Sequence, residues 1–261
     1  MTVFDDLHLE GKTALITGGS RGIGAAIAVA YAEAGADVAL VGRSVANLEE
    51  VAERIHKLGR RALVAISELT DLTTISPLVE KVTANLGEVD ILVNSAGINR
   101  RGPVLEVTLA DWDLVFNTNL RSVYFLCQAV GRSMTARRRG KIVNLASTNA
   151  YRSLPDLSLY AMTKAAVARL TQTLAVEWAP YNVQANAIAP GWIDTPMTAS
   201  MDPARKRWVD RHVPQGHFGE TRDIVGLALY LASAAADYTT GQVFVVDGGF
   251  LAGSSWECGR E

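Results

Sequence analysis

The chain has 261 residues, enough for one α/β domain with a large core and no need of metal or disulfide staples. Lys and Arg total 25 against 27 Asp and Glu, giving a net charge of -2 and a pI near 6.1, which leaves no electrostatic footprint for nucleic acid. Cys127 and Cys258 form neither a metal spacing nor a disulfide framework, and no apolar run reaches the roughly 18 residues of a membrane span. The opening residues, with Asp5, Asp6 and Glu10, do not read as a secretory leader, so the expected setting is cytoplasmic, without metal, membrane or nucleic acid.

In chain order, residues 13–17 read as a short buried strand feeding the glycine turn Gly18, Gly22, Gly24. Residues 25–34 read as an Ala-rich helix closed by Gly35, and 37–42 as a second strand. In such a strand, turn, helix, strand unit the glycines let the backbone approach a pyrophosphate, and the helix N-terminus offers free N–H groups. At the end of the second strand a carboxylate takes the 2′-hydroxyl of NAD, whereas a basic residue accepts the 2′-phosphate of NADP. That strand ends in Gly42, Arg43 and Ser44, with Arg21 inside the turn and no carboxylate, which points to NADP(H) over NAD(H).

A helix is expected over 45–58, a strand over 62–66, a helix over 72–86 and a strand over 90–93 that runs into Asn94 to Gly97. The long helix expected over 109–138 carries Asn117 and Asn119, poor helix formers whose position suggests a local break able to hold a water. Arg137, Arg138 and Arg139 would complement its C-terminal dipole. The apolar run 142–146 reads as a buried strand ending at Ser147. Downstream, Tyr160 and Lys164 lie four apart in a stretch of helix formers, so they share a helix face, where an ammonium would lower the phenol's pKa from about 10. A strand-end Ser facing that pair makes a carbonyl-polarising site.

A strand over 183–189 and the turn Pro190, Gly191 precede a segment, 192–218, that reads as a substrate loop or lid with a short helix near 203–211. A helix over 221–236 and a strand over 242–246 complete the pattern. Alternating βα units specify an α/β fold, a doubly wound parallel sheet of about seven strands with helices on both faces and ligands beyond the strand C-termini. Gly18, Gly42, Asn94, Ser147 and Pro190 all fall at such ends.

Taken together, Thr17 to Gly24, Asn94 to Gly97, Ser147 with Tyr160 and Lys164, and Pro190 with Gly191 resemble the motifs of the short-chain dehydrogenase/reductase superfamily along nearly the whole chain. The resemblance implies one Rossmann-like domain over 1–261, a homotetramer built on the long helices around 109–138 and 157–180, and hydride transfer between NADP(H), with NAD(H) possible, and a small-molecule secondary alcohol or ketone. It implies Asn119, Ser147, Tyr160 and Lys164 as the catalytic set. In it Tyr160 is the general acid of reduction and Ser147 holds the substrate oxygen. Lys164 tunes the tyrosine and binds the nicotinamide ribose, while Asn119 anchors a proton-relaying water. Cofactor contacts are implied for Gly18, Ser20, Arg21, Gly22, Ile23, Gly24, Arg43, Ser44, Glu68, Leu69, Asn94, Ala96 and Gly97. They continue through Tyr160, Lys164, Pro190, Gly191, Ile193 and Thr195. Ser95 replaces the usual second Asn, and Glu68 stands where an Asp commonly flanks the adenine.

Within the superfamily, residues 97–101, Glu177 with Trp178, and 246–251 look most like sugar-acid dehydrogenases of the gluconate 5-dehydrogenase and 2-deoxygluconate 3-dehydrogenase type. A carboxylate substrate wants a cation, which Arg100, Arg101, Arg152 or His212 could supply. Asn149, Arg152, Trp192, Met197 and Trp208 are the candidate substrate residues. The superfamily's 3-oxoacyl-[acyl-carrier-protein] reductases and broad ketoreductases are the alternative, which Trp192, Met197 and Trp208 would suit equally. A nucleotide-binding regulator without chemistry is the remote one.

Overall fold

A computed structural model of the chain describes residues 2, 4–199 and 201–253. Seven apolar runs form one sheet: β1 (Thr13–Thr17), β2 (Asp37–Gly42), β3 (Ala62–Ile66), β4 (Ile91–Asn94), β5 (Gly140–Leu145), β6 (Val183–Pro190) and β7 (Val243–Val246). The spatial order is β3-β2-β1-β4-β5-β6-β7, with every neighbouring pair parallel. The chain winds outward from β1 to β3, then returns to place β4 on the other side of β1, which opens a crevice beyond the C-terminal ends of β1 and β4.

Successive strand side chains point to opposite faces, and each face has its own core. On one face Ala14, Ile16, Val38 and Leu40 pack under α1 (Gly22–Glu33), α2 (Val45–Lys57) and, late in the chain, Arg222–Ala232. On the other, Leu15, Ala39, Val41 and Leu92 pack under α3 (Ile75–Leu86), Ser122–Arg137 and Ser158–Trp178. A sheet covered on both sides explains why its strands read as continuous apolar runs rather than alternating ones.

The helix expected over 109–138 is two helices, α4 (Leu109–Phe116) and α5 (Ser122–Arg137), joined by a π-helical turn over Asn117–Arg121 at the anticipated break. The three arginines do more than face a dipole: Arg137 and Arg139 bind Asp90 Oδ1 at 3.2 and 2.7 Å, and Arg138, with φ 54°, donates to the Pro180 carbonyl at 2.7 Å. Asp90 also accepts the Thr13 N–H at 3.2 Å, so the carboxylate ties α5 to the N-terminal edge of the sheet. α6 (Ser158–Trp178), α7 (Pro203–His212) and α8 (Arg222–Ala232) follow, and α8 stops short of the expected residue 236, which lies in a separate turn over Ala234–Ala236. Among the described residues no helix is long and apolar enough to cross a membrane. Cys127 is buried and Cys258 lies outside the described residues.

Candidate functional site

The glycine turn is shaped by close approach. Gly18, at φ +67°, lies so near the β4 loop that an added Cβ would sit 2.9 Å from Ala96 Cα, and a Cβ on Gly24 would meet the Gly18 carbonyl. Thr17 Oγ1 accepts the N–H groups of Ser95 and Ala96 at 3.1 and 3.2 Å, fastening the ends of β1 and β4 together. Arg21, extended at φ -167°, caps α1 without a side-chain hydrogen bond, and the first-turn N–H groups of a helix lack intrahelical partners, so they are available to a ligand. Gly22 faces Thr195, to which a Cβ would come within 3.6 Å, and Gly191 packs against Asp247. Such a cradle, narrow and lined by backbone, fits a dinucleotide pyrophosphate.

Beside it, α6 carries Tyr160 and Lys164 one turn apart. Lys164 is 4% exposed and donates from Nζ to the Leu145 carbonyl at 2.6 Å, with Nζ 5.6 Å from the Tyr160 ring centroid. Burial lowers its pKa from 10.5 to about 8. Tyr160 departs from expectation: burial raises its pKa, and the hydrogen bond with Ser147 pulls the other way. The ammonium does not dominate because it is directed at a main-chain carbonyl while the phenol loses water.

Ser147 sits at the end of β5, 6% exposed. Its Oγ accepts the Asn149 N–H at 3.1 Å and Asn149 Nδ2 at 3.3 Å, so its own proton is the one that makes the hydrogen bond with Tyr160. Asn149 is thereby brought to the site, and its Oδ1 is buried without a partner among the described residues. Asn119, fully buried, is turned inward by the π-helical turn. Its Oδ1 accepts the Ile98 N–H and its Nδ2 donates to the Ile98 carbonyl, both at 2.9 Å, with Thr163 Oγ1 at 3.3 Å from Nδ2. A Cβ placed on Gly97 would lie 3.6 Å from both Asn119 Oδ1 and Lys164 Nζ, so the glycine keeps these two groups around one point.

Other expected residues are placed differently. Leu69 packs its side chain into the core beneath α3 and α5, which leaves its backbone to face a ligand, and the half-buried Ile23 packs against the opposite core. Asn94 Nδ2 donates to Asn144 Oδ1 at 2.8 Å, and Asn144 in turn donates to Thr171 at 2.9 Å, while Asn94 Oδ1 is buried without a partner among the described residues. Arg43 is exposed and paired with Glu68 at 3.6 Å. Ser44 caps α2 without a side-chain bond.

In the 192–218 segment, Trp192 and Trp208 pack with Val209 and Val213 against Phe250 and Leu154, which tie the segment to the rest of the domain; Trp192 also lines a cavity with Ile193 and Gly219, and Met197 is exposed. Of the four cations, Arg100 pairs with Asp111 at 3.8 Å and Arg152 lies over the Phe250 ring at 4.5 Å. His212 stacks on Trp208, whose carbonyl its Nδ1 meets at 2.7 Å. Arg101 makes no ion pair within 4.0 Å among the described residues. Thr163, whose hydroxyl donates to the Tyr160 carbonyl at 2.9 Å and supports Asn119, was not anticipated; its position three residues after Tyr160 on an amphipathic helix is the signal that would have found it.

A glycine turn heading α1, a Ser just beyond β5, and a Tyr and Lys one turn apart on α6 define the short-chain dehydrogenase/reductase family. The chain belongs to it: residues 18–251 match a family model described as enoyl-(acyl carrier protein) reductase. The gluconate 5-dehydrogenase of Gluconobacter oxydans is 38% identical over 247 residues, 94% of this chain and 96% of that one. A 3-oxoacyl-[acyl-carrier-protein] reductase of Thermotoga maritima is 37% identical over 245 residues, 94% of this chain and 100% of that one. The crystal structure of a gluconate 5-dehydrogenase from Burkholderia cenocepacia in complex with NADP and tartrate superposes with a TM-score of 0.92 at 37% identity, covering 96% of this chain and 99% of that one.

Proposed function

We propose that the protein is a cytoplasmic NADP(H)-dependent oxidoreductase that interconverts a secondary alcohol and a ketone on a sugar acid or related small carbonyl compound. The observation that carries this reading is the grouping of buried Ser147 and Lys164 around the half-buried Tyr160, which hydrogen-bonds to Ser147. NADPH supplies the hydride when bound. The turn over 18–24 would hold its pyrophosphate, Arg43 its 2′-phosphate, Lys164 the nicotinamide ribose, and the stretch from Pro190 to Thr195 the carboxamide.

The chain's own groups handle the oxygen. Ser147, its lone pairs occupied by Asn149, donates to the substrate carbonyl. Tyr160, kept protonated at neutral pH by burial, gives its proton to that oxygen as negative charge develops there. Lys164, cationic below about pH 8, then stabilises the phenolate left behind. Asn119 holds the loop at Gly97 and Ile98 against α6, fixing the distance between them.

A carboxylate-bearing substrate is supported by the relation to gluconate dehydrogenases and by Arg101, which makes no ion pair within 4.0 Å among the described residues. A thioester reductase is the second reading, favoured by the Thermotoga relative and by exposed Met197. A homotetramer is supported by exposed apolar residues on the long helices, Leu109 at 75% and Val176 at 79% among them. The segment 192–218 acts as a lid over the single domain, a reading supported by its length and by the short helix α7 within it.

Initial rates followed by nicotinamide absorbance, with NADPH and then NADH, on a ketogluconate, a deoxyketogluconate, an acetoacetyl thioester and an aryl ketone, test these readings together. Turnover of the keto-acids alone establishes the sugar-acid assignment. Turnover of the thioester or aryl ketone alone overturns it.

A further inference from the structure

β2 and β3 are neighbours with Gly42 opposite Ile66, so the residues that follow them emerge side by side at the rim of the crevice. Arg43 follows β2 and Glu68 follows β3, and Arg43 Nη1 stands 3.6 Å from Glu68 Oε2. The two partners are not equally held. Glu68 is fixed, because its other oxygen accepts the Thr70 N–H at 3.2 Å and the Thr70 hydroxyl at 2.9 Å. Thr70 is itself anchored, its carbonyl accepting from Arg121 Nη2 at 2.8 Å. The Arg43 side chain is 71% exposed and has no hydrogen bond or other ion pair among the described residues. A basic residue at this strand end is the group that accepts a coenzyme 2′-phosphate. Here that residue is paired with a carboxylate that its own loop holds in place.

We propose that Glu68 sets the coenzyme selectivity of this chain by competing with the 2′-phosphate for Arg43. The proposal rests on the assignment of the crevice as a dinucleotide site. A 2′-phosphorylated coenzyme must draw the guanidinium away from Glu68 and bring a dianion close to a carboxylate. A 2′-hydroxyl coenzyme does neither. The chain therefore separates NADP(H) from NAD(H) less sharply than Arg43 alone would.

The test is the pair of dissociation constants for NADP⁺ and NAD⁺, measured by calorimetry on the full chain and on Glu68→Gln, Arg43→Gln and the double variant. Gln keeps the shape of Glu and an oxygen for the Thr70 bonds, so the loop stays in place. Exposed ion pairs are individually weak, so Glu68→Gln is expected to shift the affinity ratio toward NADP⁺ by about three- to fivefold. The shift should shrink at high ionic strength and disappear when Arg43 is also changed. A ratio unmoved or moved toward NAD⁺ overturns the proposal. So does an equal gain without Arg43, which would make Glu68 a simple repulsive charge. If the unaltered chain binds neither nucleotide, the site assignment fails and the proposal with it; if it binds both and the ratio does not move, only the proposal fails.

Discussion

Lys164 is buried and Tyr160 half-buried, the charged form of each is disfavoured by lost water, and the consequences can be measured separately. Tyr160→Phe removes the proton donor without emptying the space, so kcat for ketone reduction should fall by about 10²–10⁴ while coenzyme binding persists; a variant that keeps its rate in steady-state assays would remove Tyr160 from the chemistry. For Lys164 the sign follows from its folded pKa of about 8, below its ordinary 10.5. Between those values the unfolded chain holds the proton and the folded chain does not, so stability rises with pH across that window and the penalty is fully present below about 8. Urea unfolding should accordingly show the gap between the unaltered chain and Lys164→Met shifting by about 3 kcal/mol in the unaltered chain's favour from pH 8 to pH 10.5. Helical spacing made the pairing of Tyr160 and Lys164 plain in the sequence. The direction of the tyrosine's shift was not, because it depends on how much water the fold removes and on Lys164 finding the Leu145 carbonyl.

At the scale of elements, the π-helical turn over Asn117–Arg121 shows what local propensity can and cannot reveal. Two asparagines in a long helix marked the break, but nothing local says that Asn119 turns inward to satisfy both main-chain groups of Ile98. That bond spans two βα units, and only packing brings them together. Asn119→Ala would leave an N–H and a carbonyl buried and unpaired, at a penalty of about 1–3 kcal/mol per group. Thermal melting should show the loss, and kcat should drop with it as the loop at Gly97 loosens from α6. Between α5 and α6, Gly131 faces the Trp178 ring with no room for a methyl group. Gly131→Ala should therefore destabilise the chain by about 1–3 kcal/mol despite its better helix propensity, a reversal that denaturant titration would register.

For the molecule as a whole, apolar runs and glycine turns were enough to specify the doubly wound sheet, since both faces are covered and each strand reports its burial in composition alone. Polar contacts between distant stretches stayed hidden: Arg43 with Glu68, and Asp90 with Arg137 and Arg139, join residues with no shared periodicity. If the exposed apolar side chains of α4 and α6 meet other copies, Leu109→Asp with Val176→Asp should lower the sedimenting mass, and an unchanged mass would assign those faces to solvent.

Asp90, holding Thr13, Arg137 and Arg139 at the N-terminal edge of the sheet, is at the opposite end of the strands from Ser147, Thr17 and the glycine turn. One end of the molecule is a foundation and the other a workbench. Changes that harden the foundation should raise heat tolerance without retraining the enzyme, and the mouth of the crevice can be recut for new substrates while the footing stays untouched.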